Sequence, residues 1–150
     1  MMDPHPDWSD TALPREADLG AYRLAPLAMD RTEEDFAAVT QSADDLRGLF
    51  GDWPDGLTIH ENRVDLAWHD REFTTKRSFS WIVRDGAGAY LGCFYVSPDI
   101  GTRGSAEVSL WLRSMPDRDQ TARAVRTAVE TWLGPYCPDG VQLRWQTSPT

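Results

Sequence analysis

The stretch from Ser78 to Arg113 constrains this chain most. SFSWIVR (78–84) alternates Phe79, Trp81 and Val83 with Ser80, Ile82 and Arg84. That two-residue period is the mark of a strand. Asp85-Gly86-Ala87-Gly88 follows as a tight turn, and AYLGCFYV (89–96) comes next, apolar on nearly every position. A strand covered on both faces reads this way, and two strands joined by such a turn predict an antiparallel hairpin. After a loop from Pro98 to Gly104, AEVSLWLR (106–113) sets Val108, Leu110 and Leu112 on one face. Glu107, Ser109 and Trp111 occupy the other. Three meandering strands therefore form the centre of a sheet, and both faces need cover.

Helices can supply it. Residues 119–133 carry a stripe of Ala122, Val125, Val129 and Trp132. Asp119 is the expected cap, and Gly134-Pro135 is the stop. Thr58 and Glu61 have capping-box spacing. They predict a helix over 59–77, with Val64, Ala67, Trp68 and Phe73 on its apolar face. DRTEEDFAAV and SADDLRGLF predict two shorter helices, the first with acids in the turn that the dipole favours. AYRLAPL (21–27) reads as a first strand and VQLRW (141–145) as a last one. Residues 1–19, rich in proline and acid, read as a loose lead-in, and residues 20–150 as a single domain.

The chain of 150 residues is 41% hydrophobic and holds seven tryptophans, enough for a packed core. No apolar run approaches the roughly 20 residues that cross a bilayer. The acidic start does not read as a secretory signal, so the expected address is cytoplasmic and away from membranes. The net charge of −9 lies wholly within residues 1–60, which argues against nucleic acid as a partner. Two cysteines make no disulfide framework. Cys93 is expected as a buried, inert thiol, and Cys137 sits in a turn. His60 and His69 have no metal-ligand spacing, so no metal is expected.

The helix DLAWHDREF, the hairpin SWIVRDGAGAYLGCFYV, and AEVSLWLR followed by helix 119–133 together resemble the GNAT acetyltransferase superfamily. The likeness spans about residues 20–146. It implies an α/β (α+β) fold, with a mostly antiparallel central sheet flanked by helices. Here the sheet would end after its fifth strand. It implies acetyl-CoA held in a wedge where the fourth and fifth strands part. Main-chain groups of Leu110, Leu112 and Arg113 would meet the pantetheine arm. Arg118, Gln120, Thr121, Ala122 and Arg123 would surround the pyrophosphate at a helix start.

The family's loop motif is Arg/Gln-x-x-Gly-x-Gly/Ala. This chain reads Asp117-Arg118-Asp119-Gln120-Thr121-Ala122, so only Ala122 conforms. Asp117 and Asp119 would repel phosphate, and Gln120 fills space that a glycine leaves open. Arg118 and Arg123 offset part of that. The family often adds a tyrosine acid after the fifth strand, and Tyr136 does not match it. Glu107 lies on the strand where many members carry a glutamate general base. The plainer reading of Glu107 is an ion pair with Arg84 or Arg113.

Two functions follow from this. One is an N-acyltransferase moving acetyl from acetyl-CoA to an amine on a small molecule or a protein. The other is a non-catalytic GNAT-like domain that binds a small molecule or a protein. The open edge of the last strand predicts a homodimer.

Overall fold

A computed structural model describes residues 3–146. Its centre is one six-stranded sheet whose strands lie in chain order. They are β1 (Ala17–Asp18), β2 (Tyr22–Pro26), β3 (Phe79–Asp85), β4 (Tyr90–Pro98), β5 (Ser105–Leu112) and β6 (Gln142–Trp145). Every neighbouring pair is antiparallel except β5 and β6, which are parallel. Parallel neighbours need a crossover, and helix α4 (Arg118–Leu133) provides it. The hairpin turn holds as expected: Asp85 Oδ1 accepts from the amides of Ala87 and Ala89, both at 2.9 Å.

The expectation of a sheet ending after five strands needs correction. The additional strand is β1, inside the stretch read as a lead-in. Gly20, at φ +92°, turns the chain so that Ala17 faces Leu24 and Asp18 faces Arg23. The same stretch is packed rather than loose. Trp8 is fully buried, with its ring 5.4 Å from Phe79. Asp7 accepts from Arg103 Nε at 2.9 Å and from the Gly104 amide at 2.8 Å.

Helices α1 (Thr32–Gln41), α2 (Ala43–Leu46) and α3 (Ile59–Thr74) cover one face. Val39, Leu46 and Leu66 pack there on Ile82, Cys93 and Trp111. On the other face, Val125, Val129 and Leu133 of α4 pack on Phe94, Val108 and Leu112. Trp81 stacks on Phe94 at 4.8 Å, and the Trp132 ring meets it edge-on at 5.5 Å.

Two helix details differ from the sequence reading. The capping box of α3 forms and Phe73 is buried as expected, but the rest of the buried stripe differs. Val64 and Trp68 are 55% and 50% exposed, while Asn62, Leu66 and Phe73 are buried. The polar Asn62 belongs to the buried stripe because its Nδ2 donates to Asp35 Oδ2 at 2.9 Å. Trp68 instead carries the Arg71 guanidinium, 4.3 Å from its ring centroid. At α4 the N-cap position is Asp117, in the left-handed region at φ 57°, and Asp119 lies in the first turn.

Candidate functional site

Strand β5 runs beside β6 only as far as the pair Val108–Trp145. There the Gln146 amide donates to the Val108 carbonyl at 2.8 Å. Beyond this point no described residue pairs with β5 on that side. Backbone groups alternate along a strand, so those of Leu110 and Leu112 point into the gap. The Leu112 carbonyl is met by Arg118 Nε at 2.9 Å. The Leu110 main chain remains to face an incoming group. A cleft of about 260 Å³ opens here, lined by Leu110, Asp119, Ala122 and Arg123 together with Trp145 and Gln146. Arg126 lies 4.5 Å over the Trp145 ring and bonds to Glu130.

Of the cofactor residues expected from the sequence, the fold brings Leu110, Ala122 and Arg123 to this cleft. Gln120 is exposed in the first turn of α4, and the Thr121 amide already bonds to the Asp117 carbonyl at 2.9 Å. The Arg113 amide is directed to β4, bonding the Leu91 carbonyl at 2.8 Å, and its Nη2 lies 2.7 Å from Gln41 Oε1. The loop ahead of α4 is tied to the α1–α2 junction. The Ser114 amide donates to Ser42 Oγ at 2.8 Å, and the Ser114 hydroxyl donates to Asp45.

The opposite face of β5 borders a larger cleft of about 400 Å³. Glu107 and Ser109 of β5 line it, with Tyr95 of β4, Asp65 and His69 of α3, and Phe50 and Trp53 of the connecting loop. The ion-pair reading of Glu107 is not realised. Arg84 binds Glu34 at 2.6 and 2.8 Å, and Arg113 binds Gln41. Arg144 stands opposite Glu107 in the β6 register. It forks onto Asp99 instead, at 2.8 and 3.0 Å. Those bonds, with one from Ser105, pull the Asp99 carboxyl down to about 2. Among the described residues no cation stands within 4 Å of Glu107.

Tyr95 accepts from Trp111 Nε1 at 2.8 Å. Burial first, then nearby Cys93 and Asp35, holds its phenol well above the ordinary value, so it keeps its proton. His69 Nε2 lies 3.6 Å from Asp65, one helical turn away. The sequence reading gives no role to Tyr95, Asp65, Phe50, Trp53 or His69, which the fold brings together at this cleft. The i,i+4 spacing of Asp65 and His69 was the one local signal available.

Beneath this cleft lies a buried polar cluster. Asp35 accepts from Tyr90 and Asn62, and Cys93 Sγ lies 3.2 Å from the Tyr90 hydroxyl. Cys93 is fully buried as expected, and burial pushes its thiol well up. Among the described residues no group of three His, Cys, Asp or Glu side chains could hold a metal. No described helix is long and apolar enough to cross a membrane.

No family model and no curated protein matches the sequence. Solved structures do match. RimL, a ribosomal L7/L12 alpha-N-protein acetyltransferase, gives a TM-score of 0.69 at 11% identity, over 89% of this chain and 75% of that one. The microcin C7 self-immunity acetyltransferase MccE, solved with acetyl-CoA and AMP, gives 0.68 at 10% identity, over 90% and 74%. A ribosomal-protein-S5-alanine acetyltransferase from Vibrio fischeri gives 0.62 at 12% identity, over 80% and 68%. At such identities the likeness concerns the fold.

Proposed function

We propose that this chain, which folds as a divergent GNAT domain, is an acyl-CoA-dependent N-acyltransferase that moves an acetyl group from acetyl-CoA to an amine. The observation that carries the reading is Glu107. It has no ion-pair partner among the described residues and lines the larger cleft close to where β5 parts from β6.

The residues fit the two halves of the cofactor unequally. The Leu110 main chain, pointing into the gap, suits an amide-bearing arm. The pyrophosphate end has the amides of Arg118, Asp119 and Gln120, with Arg123 beside them. Asp117 and Asp119 oppose it, but both are exposed. Screening holds each such repulsion to about 1 kcal/mol, and the helix dipole contributes about as much in the other direction. Binding weaker than in a glycine-loop member follows, rather than no binding.

Acetyl-CoA, when bound, supplies the activated acyl group. Glu107 accepts the proton of the incoming ammonium, which frees the nitrogen lone pair. Ser109 and Tyr95 offer hydroxyls that orient the acceptor.

Calorimetry with CoA and acetyl-CoA is the direct test, followed by turnover over an amine panel. Binding in the micromolar to millimolar range is expected, with turnover lost in Glu107→Gln. Absence of heat with either ligand at millimolar concentration defeats the reading. A binding domain without turnover is the second reading, favoured by the bonds that tie Ser114 to Ser42 and Asp45. Amine acetylation that depends on Glu107 excludes it.

A further inference from the structure

We propose that the cleft bearing Glu107 is an aromatic cation box, and that its acceptor is an alkylammonium on an apolar body. This rests on the acyl-transfer reading only for the word acceptor; the box itself is argued from its walls.

Three rings bound it at steep angles. Phe50 meets Trp53 at 5.7 Å and 68°, and meets Tyr95 at 6.0 Å and 90°. In these edge-to-face contacts the rings stand as adjoining walls of the cleft, and an aromatic face attracts a cation. The described residues use four rings for internal cations: Phe73, Trp68, Tyr90 and Trp145. None of these is a ring of the box.

The charges point the same way. Asp65 and Glu107 line the cleft, and no lysine or arginine does. The arginines that could have neutralised them are held elsewhere. Arg47, at the start of the same loop, is bound by Asp44 and Asp55. Arg144, across from Glu107, is bound by Asp99. His69 lies 5.3 Å from the Tyr95 ring, tilted 30° over one of its faces, and leans toward Asp65, and among the described residues no cation stands within 4 Å of Glu107. The volume of about 400 Å³ suits a small molecule or one end of a longer one. A carboxylate guest would meet two like charges there, and a neutral guest would forgo the cation–π contact.

The chemistry of the guest follows. A primary ammonium is drawn in as a cation and then gives one proton to Glu107, which leaves a neutral amine with a free lone pair. A quaternary ammonium has no such proton. It therefore binds the box without reacting.

The test uses the full chain without acyl-CoA, so that it fails separately from the acyl-transfer reading. Butylammonium, tetramethylammonium, butanol and butyrate are titrated by calorimetry and tryptophan fluorescence. Both cations are expected to bind at least about tenfold more tightly than butanol, with butyrate weakest. Asp65→Asn and Glu107→Gln should each weaken butylammonium by about tenfold, and Trp53→Leu should remove the preference for tetramethylammonium over butanol. Asp65 is half exposed, so Asp65→Asn keeps its fold even where Trp53→Leu does not. Butanol or butyrate binding as well as butylammonium overturns the proposal. So does an ammonium affinity unchanged in both carboxylate variants, or no cation binding at all. Cation binding in a protein that ignores CoA keeps the box and sinks the acyltransferase.

Discussion

Replacing Gly92 with alanine tests how β5 is held where it borders both clefts. Gly92 lies opposite Leu112 in the β4–β5 ladder. Its φ is not positive, so the backbone would accept any residue and conformational strain does not enter. The contact does. An added Cβ would stand 1.9 Å from the Trp111 carbonyl oxygen and 2.9 Å from Leu112 Cα. Carbon and oxygen do not ordinarily approach closer than about 3.3 Å, so the strands must separate by roughly 1.4 Å. The Arg113 amide bond to Leu91, at 2.8 Å, does not survive that displacement, nor does a neighbouring ladder bond. Two such bonds contribute about 1 kcal/mol each, and overpacking adds about 1–3 kcal/mol. Restricting the unfolded chain returns about 0.5–1 kcal/mol. The net loss is about 2–4 kcal/mol, read as a lower midpoint in urea unfolding followed by tryptophan fluorescence. A loss under about 0.5 kcal/mol would refute the reasoning, because it would mean the ladder relaxes at no cost.

Two further perturbations probe the core. Burial raises the Asp35 carboxyl above its ordinary 3.8, against the opposing bonds from Tyr90 and Asn62. The folded protein therefore keeps that proton to higher pH than the unfolded chain. Asp35 should make stability fall as pH rises from about 4 through the raised value and then level off. Asp35→Asn should abolish that slope in urea midpoints taken across pH, and an unchanged slope counts against the assignment. Trp8 is fully buried on Phe79, and its Nε1 has no partner. Trp8→Ala should cost about 3–5 kcal/mol and Trp8→Phe under about 1.5 kcal/mol; similar costs for the two would show that the ring edge, not the packing, holds the N-terminal segment.

The hairpin, β5 and α4 were legible because their apolar residues repeat at two and at three-to-four without interruption. The α3 capping box was legible because two residues three apart carry it. The phase of α3 was not, since its buried stripe includes Asn62, which a rule of apolar spacing reads as wet. Only Asp35, 27 residues earlier, makes that burial favourable. Strand β1 escaped notice because two residues carry no period. The docking of Trp8 on Phe79 likewise has no local trace. The site divides in the same way. Glu107 could be read from the outward face of an alternating strand. The cleft around it could not, because Phe50, Asp65 and Tyr95 come from three separate elements that meet only after the sheet has formed.

Gln146, just after β6, lies in the smaller cleft, and its Nε2 reaches the Leu49 carbonyl at 2.9 Å. Leu49 precedes Phe50, a wall of the larger cleft. One amide thus tethers the rim of one chamber to the wall of the other. A guest that pushes Gln146 aside forfeits about 1 kcal/mol for that bond, roughly a fivefold penalty on its own affinity. The loop it releases then changes how firmly Phe50 and Trp53 grip whatever lies between them. Whatever factor that imposes on a second guest, reciprocity returns to the first: a guest that tightens the loop makes the gap beside β5 harder to enter. Gln146→Ala would remove this link between the two chambers.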